Sequence, residues 1–275
     1  MSSHGDQTRR RVTIHDLAAM RARGERFVML AAYDANAASI LDSLDVPVIL
    51  VGDSLSMVVL GHDTTLPVTL EDMIHHARAV VRARPRALVV VDLPFGSYQR
   101  GPDQALESAV RVIKESGADA VKLEGGARMV PSVRALVAAG IPVMGHLGLT
   151  PQSVAQFGGF RVQGRDETAA ATIVEDAVAI AEAGAFATVL ECVPATLAAR
   201  VTAASSVPVI GIGAGVDVDA QVLVWHDVLG LSAAPHPRFV RAYVDLRTVI
   251  ADAITAFSDD VRDGTFPSAA ESYGD

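Results

Sequence analysis

Eight short runs recur along this chain, each apolar on both of its faces: FVMLAAYD (27–34), PVILVGDS (47–54), ALVVVDLPF (87–95), DAVKLEGG (119–126), IPVMGHLG (141–148), ATVLECV (187–193), VPVIGIGAG (207–215) and QVLVWHD (221–227). A strand with one wet face alternates apolar and polar residues, so runs rich in Val, Ile and Leu throughout point to a parallel sheet covered on both sides. Longer stretches with helical spacing separate them. In one, Leu106, Ala109, Val110 and Ile113 share a face, Pro102 suits the first turn and Gly117 the C-terminal cap. ESGADAVKLE (115–124) and EAGAFATVLE (182–191) align with each other, the internal similarity expected of a repeated βα unit. Eight such units predict an α/β fold, a (β/α)8 TIM barrel, with a doubly wound sheet as the alternative. The expected layout is a flexible tail over 1–12, one barrel over 13–262 that opens with a helix over 13–24, and a second tail over 263–275. The connection at 147–167 is longer than barrel loops usually are, which suggests a lid.

The runs end in polar chemistry: Asp53 with Ser54, Asp92, Lys122 with Glu124, His146, and Glu191. Alternation along 119–126 puts Val121 and Leu123 on one face and Ala120, Lys122 and Glu124 on the other. Burying a cation and a carboxylate together is costly unless they are paired or bind an ion. In a barrel these strand ends converge on one mouth, where active sites are built. Asp53, Asp92 and Glu124 offer only oxygen, which suits a hard ion such as Mg2+ better than zinc. Any one of these acids alone could instead be a helix N-cap. Lys122 fits a point charge for an anionic substrate, a Schiff-base amine if its pKa were lowered, or an ion pair with Glu124; neighbouring carboxylates favour the first. Glu191 fits a general base beside a carbonyl, and His146 a substrate contact. GIGAG (211–215) reads equally as a phosphate cradle or a tight turn.

Charge and cysteine usage bound the rest. A net charge of −9 argues against a nucleic-acid binder, which needs concentrated Lys and Arg. The single cysteine, Cys192, cannot form an internal disulfide, and strand alternation turns it away from the Glu191 side, so no catalytic thiol is expected. With no apolar run of signal-peptide or membrane-span length, a cytoplasmic protein is expected.

The stretches VGDSLSMVVLGHDTTLPVT (51–69), VVVDLPFGSY (89–98), AVKLEGG (120–126), VMGHLGLTPQSV (143–154), FGGFRVQGR (157–165), LECVP (190–194) and VIGIGAG (209–215) resemble ketopantoate hydroxymethyltransferases, in order, from about residue 13 to 262. The resemblance implies a barrel that transfers a hydroxymethyl group from 5,10-methylenetetrahydrofolate to 3-methyl-2-oxobutanoate in pantothenate synthesis. It further implies that Asp53, Asp92 and Glu124 serve Mg2+ and that Asp53, Ser54, Asp92 and Lys122 surround the oxoacid. Glu191 becomes the proton acceptor, and the assembly a homo-oligomer, often a decamer. Two departures stand out: Ser56 occupies a position where the family pattern has glycine, and LSAAPHPRF (231–239) follows its segment only loosely. The alternatives are a Mg2+-dependent 2-oxoacid lyase or mutase of the phosphoenolpyruvate mutase and isocitrate lyase type, or an oxoacid-binding barrel without turnover. The lyases of that type use a loop cysteine, whereas the single thiol here, Cys192, is expected on a strand.

Overall fold

Each of the eight apolar runs contributes a strand in the computed structural model, which describes residues 10–232 and 236–274. The strands are β1 (Phe27–Ala31), β2 (Val48–Val51), β3 (Leu88–Asp92), β4 (Ala120–Glu124), β5 (Val143–Gly148), β6 (Ala187–Glu191), β7 (Val209–Ile212) and β8 (Ala220–Val224). They pair in parallel in sequence order, and β8 returns to β1 to close the barrel. Every residue of β2, β3 and β4 is buried, as the two-sided apolar runs require. The doubly wound alternative is therefore excluded.

Helices α1 (Ile14–Ala22), α2 (Ala35–Ser43), α3 (Leu55–Val58), α4 (Leu70–Arg82), α5 (Pro102–Ser116), α6 (Val130–Ala138), α7 (Val154–Phe157), α8 (Glu167–Glu182) and α9 (Ala195–Ala204) fill the connections. Their starts follow local chemistry: Asp34 accepts from Ala37 N, and Thr69 and Asp72 cap α4 reciprocally. Two expectations need correction. The buried face of α5 is Ala105, Ser108, Ala109 and Val112, while Val110 is exposed. Small side chains let the helix lie close to the strands, and the larger Leu106 and Ile113 fill the flanks of that contact. The second concerns the seventh connection, 213–219, which carries no helix. Because β7 has four residues and Ile210 pairs with Ala220, the chain needs only a short return to begin β8.

By internal contacts the chain divides into two units, Met1–Trp225 and His226–Asp275. The turn α10 (Trp225–Val228) runs across that division, and the second unit holds α11 (Leu246–Asp263). Asp245 caps α11 at Thr248 N, Gly264 ends it at φ 72°, and Phe257 meets Phe266 edge to face at 5.2 Å. Val249, Ile254, Phe257 and Val261 on this helix are about half exposed. Residues 233–235 of the divergent 231–239 segment, and residues 1–9 of the expected tail, lie outside the described residues. Among the described residues, no helix is long and apolar enough to cross a membrane.

Candidate active site

The register of the barrel decides which polar strand ends meet. Asp92 pairs with Lys122, Glu124 with His146, and Gly148 with Glu191, so neighbouring strands deliver their polar residues at one level. Lys122 Nζ lies 3.0 Å from Asp92 Oδ1 and 3.1 Å from His146 Nδ1. His146 Nδ1 is 3.5 Å from Glu124 Oε1, and its Nε2 is 3.2 Å from Glu191 Oε2. The last is an ion-pair contact without hydrogen-bond alignment. Lys122 thus pairs with Asp92, not with Glu124 as the ion-pair reading of β4 had it. Asp53, Asp92, Lys122, Glu124 and His146 are all buried, whereas the Glu191 side chain keeps 15% of its surface.

At the end of β2 the chain turns sharply. Asp53 N donates to Asp92 Oδ2 at 3.0 Å, and Ser54 Oγ and Tyr33 Oη share a hydrogen bond of 2.8 Å. A Cβ on Gly52 would stand 2.9 Å from Ser54 Oγ, so a side chain there would press on the hydroxyl that bonds Tyr33. Ser56, the departure from the family pattern, is fully buried and donates to Thr64 O at 2.7 Å. It ties α3 to the following loop.

Charge is crowded here. Burial, then Asp92 and Glu124, pushes the Asp53 carboxyl well above the usual range, against the pull of Lys122. Burial also raises Asp92, with Lys122 opposing. Burial alone would depress Lys122, yet Asp92, Glu124 and Asp53 outweigh it and keep the ammonium charged. This disfavours a Schiff-base role, which needs a neutral amine. Burial and Lys122 push His146 down, but Glu124 and Glu191 prevail and hold it at about 9.

Do these residues fit a divalent cation? Among the described residues, no group of three or more His, Cys, Asp or Glu side chains is placed to hold a metal ion by itself. Mg2+ keeps several waters and takes one or two carboxylates, fewer protein ligands than a closed tetrahedral zinc site needs. Asp92 Oδ1 is buried with Lys122 Nζ at 3.0 Å as its ion-pair contact, and Glu124 Oε1 lies 3.5 Å from His146 Nδ1. Three buried carboxylates at one end of the barrel are the oxygen donors that a hard cation takes.

Sequence reasoning missed two residues of this site. Gln152 and Tyr98 are buried and sit between the carboxylates. Gln152 N donates to Glu124 Oε2 at 3.0 Å and its Nε2 to Asp53 Oδ2 at 2.9 Å, while Tyr98 Oη donates to Gln152 Oε1 at 2.7 Å. Gln152 belongs to a 3-10 turn, Pro151–Ser153, that leads into α7, so the start of the 147–167 connection is anchored in the mouth. Only its later part, around Phe160 and Val162, is exposed as a lid would be. The one available signal was a glutamine just beyond the strand that carries His146.

Cys192 follows β6 with φ 48°, so strand alternation stops at Glu191 and does not orient the thiol. Burial, then Glu191, raises its pKa to about 12, a protonated and poorly nucleophilic thiol at neutral pH. In the GIGAG segment, Gly213 and Gly215 take positive φ, and a side chain on Gly215 would lie 2.5 Å from Ala195 Cβ. The tight-turn reading accounts for that stretch. On the outer side of Glu124 and Gln152 a cavity of about 270 Å³ opens, rimmed by Phe95 and Arg128.

Comparison with known proteins gives a consistent picture. The family model described as ketopantoate hydroxymethyltransferase matches residues 11–269. A 3-methyl-2-oxobutanoate hydroxymethyltransferase of Frankia alni is 59% identical, covering 96% of this chain and 87% of that protein. One from Thermobifida fusca is 58% identical over 99% of this chain and all of that protein. Among solved structures, a phosphonopyruvate hydrolase in complex with oxalate and Mg2+ shares the fold with a TM-score of 0.60 at 15% identity, covering 94% of this chain and 93% of that one. A 2,3-dimethylmalate lyase of the phosphoenolpyruvate mutase and isocitrate lyase superfamily has a TM-score of 0.58 at 17% identity, covering 94% and 91%. The latter likenesses concern the fold alone, and the lyase or mutase alternative is not favoured. With more than half of its residues shared along nearly its full length, the chain belongs to the ketopantoate hydroxymethyltransferase family.

Proposed function

We propose that the barrel mouth transfers a hydroxymethyl group from 5,10-methylenetetrahydrofolate to 3-methyl-2-oxobutanoate, with Mg2+ held by Asp53, Asp92 and Glu124 directly or through water. Family membership makes the chain an enzyme of the hydroxymethyltransferase kind. The donor, the ion and the roles of individual residues are the proposal. The observation that carries it is the convergence of three buried carboxylates, one charged lysine and Glu191 at one end of the barrel.

In this reading Lys122 balances the carboxylate of the oxoacid as a point charge, and Ser54 donates a hydrogen bond to it. His146 lies between Glu124 and Glu191 and fixes the imidazole edge of the substrate pocket. Glu191, the most accessible acid of the group, removes the proton at C3. The cation supplies polarisation of the keto oxygen. The electron pair released at C3 then forms the bond to the methylene carbon of the donor. One of the two C–N bonds to that carbon breaks as the C–C bond forms, and its nitrogen takes the proton held by Glu191. Water then adds hydroxide to the same carbon as the second C–N bond breaks, its remaining proton goes to the second nitrogen, and tetrahydrofolate leaves with 2-dehydropantoate as the other product. The cavity beside Glu124 and Gln152, with an exposed aromatic ring at Phe95 and a cation at Arg128, offers room for the folate.

Two coarser features follow the same reading. The apolar surface left on the first unit at Val28, Ile40 and Leu44, and separately on α11, supports a homo-oligomer, which a monomeric mass in sedimentation equilibrium would refute. The single thiol suits a reducing cytoplasm. The test of the function itself is exchange of the C3 hydrogen of 3-methyl-2-oxobutanoate with deuterated solvent, with metal but without folate. Absence of exchange in the wild-type enzyme would end this reading.

A further inference from the structure

Gln152 makes four side-chain hydrogen bonds from a buried position, and their polarity is fixed from both ends. Gly96 N and Tyr98 N both donate to Gln99 Oε1, so the other end of that amide, Gln99 Nε2, is a donor. It donates to Gln152 Oε1 at 3.1 Å, alongside Tyr98 Oη at 2.7 Å. The Gln152 Nε2 group therefore faces inward, where it meets two acceptors, Leu93 O at 3.0 Å and Asp53 Oδ2 at 2.9 Å. Main-chain groups at Gly96 and Tyr98 outside, and at Leu93 inside, allow only this orientation of the amide.

The same residue reaches a second acid through its backbone, since Gln152 N donates to Glu124 Oε2 at 3.0 Å. One residue thus occupies one oxygen on each of two carboxylates, at the ends of β2 and β4, leaving Asp53 Oδ1 and Glu124 Oε1, the latter 3.5 Å from His146 Nδ1. Tyr98 joins the same unit, because its hydroxyl accepts from Glu124 N at 3.1 Å. Carboxylates that bind an ion are themselves held by hydrogen bonds, and such partners set both the orientation and the affinity of the site.

We propose that Gln152 is a positioning residue for the cation, clamping Asp53 and Glu124 so that their remaining oxygens are presented together. The inference rests on the metal reading above and adds to it a residue outside the ligand set. Asp53, Asp92 and Glu124 repel one another in a buried pocket, so without the clamp the carboxylates turn apart. Since the backbone contact to Glu124 survives substitution, losing the side chain should loosen Asp53 first.

The test uses the full chain and Mn2+ alone as probe, with free Mn2+ counted by electron paramagnetic resonance. Gln152→Met keeps the side-chain length but removes the donor, and Gln152→Asn keeps the amide but withdraws it from Asp53. Both should weaken Mn2+ binding about 10- to 100-fold. Ser108→Ala removes a buried hydrogen bond, Ser108 Oγ to Ser97 O at 2.6 Å, without touching the carboxylates. It should lower the melting temperature yet leave Mn2+ affinity unchanged. Mn2+ affinity within twofold of wild type in whichever Gln152 variant folds would overturn the inference, as would an equal loss in Ser108→Ala. If wild type itself fails to bind Mn2+, the metal reading falls and takes this inference with it.

Discussion

Replacing Gly148 by Ala should injure catalysis through the backbone of Glu191. Gly148 ends β5 with φ 84° and pairs in register with Glu191 at the end of β6. A Cβ built there lies 2.2 Å from Glu191 O and 2.9 Å from Val193 Cγ1. To reach even 3.0 Å the carbonyl must retreat by about 0.8 Å, and it is held where it is by Leu149 N at 2.8 Å. The left-handed backbone adds about 1–2 kcal/mol for a residue with a side chain. A displacement near 1 Å at a reacting group costs about 100-fold in rate. The expected result is therefore a loss of roughly 100-fold in C3–hydrogen exchange, together with about 1–3 kcal/mol of stability. Exchange followed by proton NMR and unfolding by urea would measure both. Exchange within threefold of wild type, in a protein that has lost stability, would refute the claim that this strand end positions the base.

Two further perturbations address charge and the donor. His146, held at about 9 by Glu124 and Glu191 against burial and Lys122, is raised above its usual value, so its contribution to stability is present below about pH 6.5 and lost as pH rises through about 9. In metal-free protein, urea titrations should show wild type losing of order 3 kcal/mol across that window relative to His146→Gln, and parallel pH profiles would contradict the assignment. Arg128→Ala should raise KM for methylenetetrahydrofolate about tenfold while leaving folate-free exchange unchanged; an altered exchange rate with unchanged KM would remove this cavity as the donor site.

What could be read from the sequence was whatever periodicity encodes. Alternation along β4 places Lys122 and Glu124 on one face with no knowledge of their partners, and parallel register then brings Asp92 and His146 beside them. The barrel follows from two-sided apolar runs in the same way. Contacts that cross between loops have no period. Gln152 lies in a turn, and its partners Tyr98, Asp53 and Glu124 are distant in sequence, so only folding reveals the clamp. The misplaced face of α5 arose from weighing large residues over small ones: close packing on the sheet selects Ala105 and Ala109, which hydrophobicity ranks low. A helix was expected before β8 because each of the six earlier connections carries one, but the short β7 made it unnecessary. At Cys192, a positive φ ended the alternation one residue earlier than the apolar run implied.

The central claim is that Glu191 takes the C3 proton of an oxoacid held by Lys122 and a cation among Asp53, Asp92 and Glu124. Deuterium exchange at C3 of 3-methyl-2-oxobutanoate, without folate, isolates that step. Wild type should show metal-dependent exchange, and Glu191→Gln a loss of about 100- to 10,000-fold, the range for removing a general base. Exchange at the wild-type rate in Glu191→Gln, or undiminished after rigorous chelation, would contradict it.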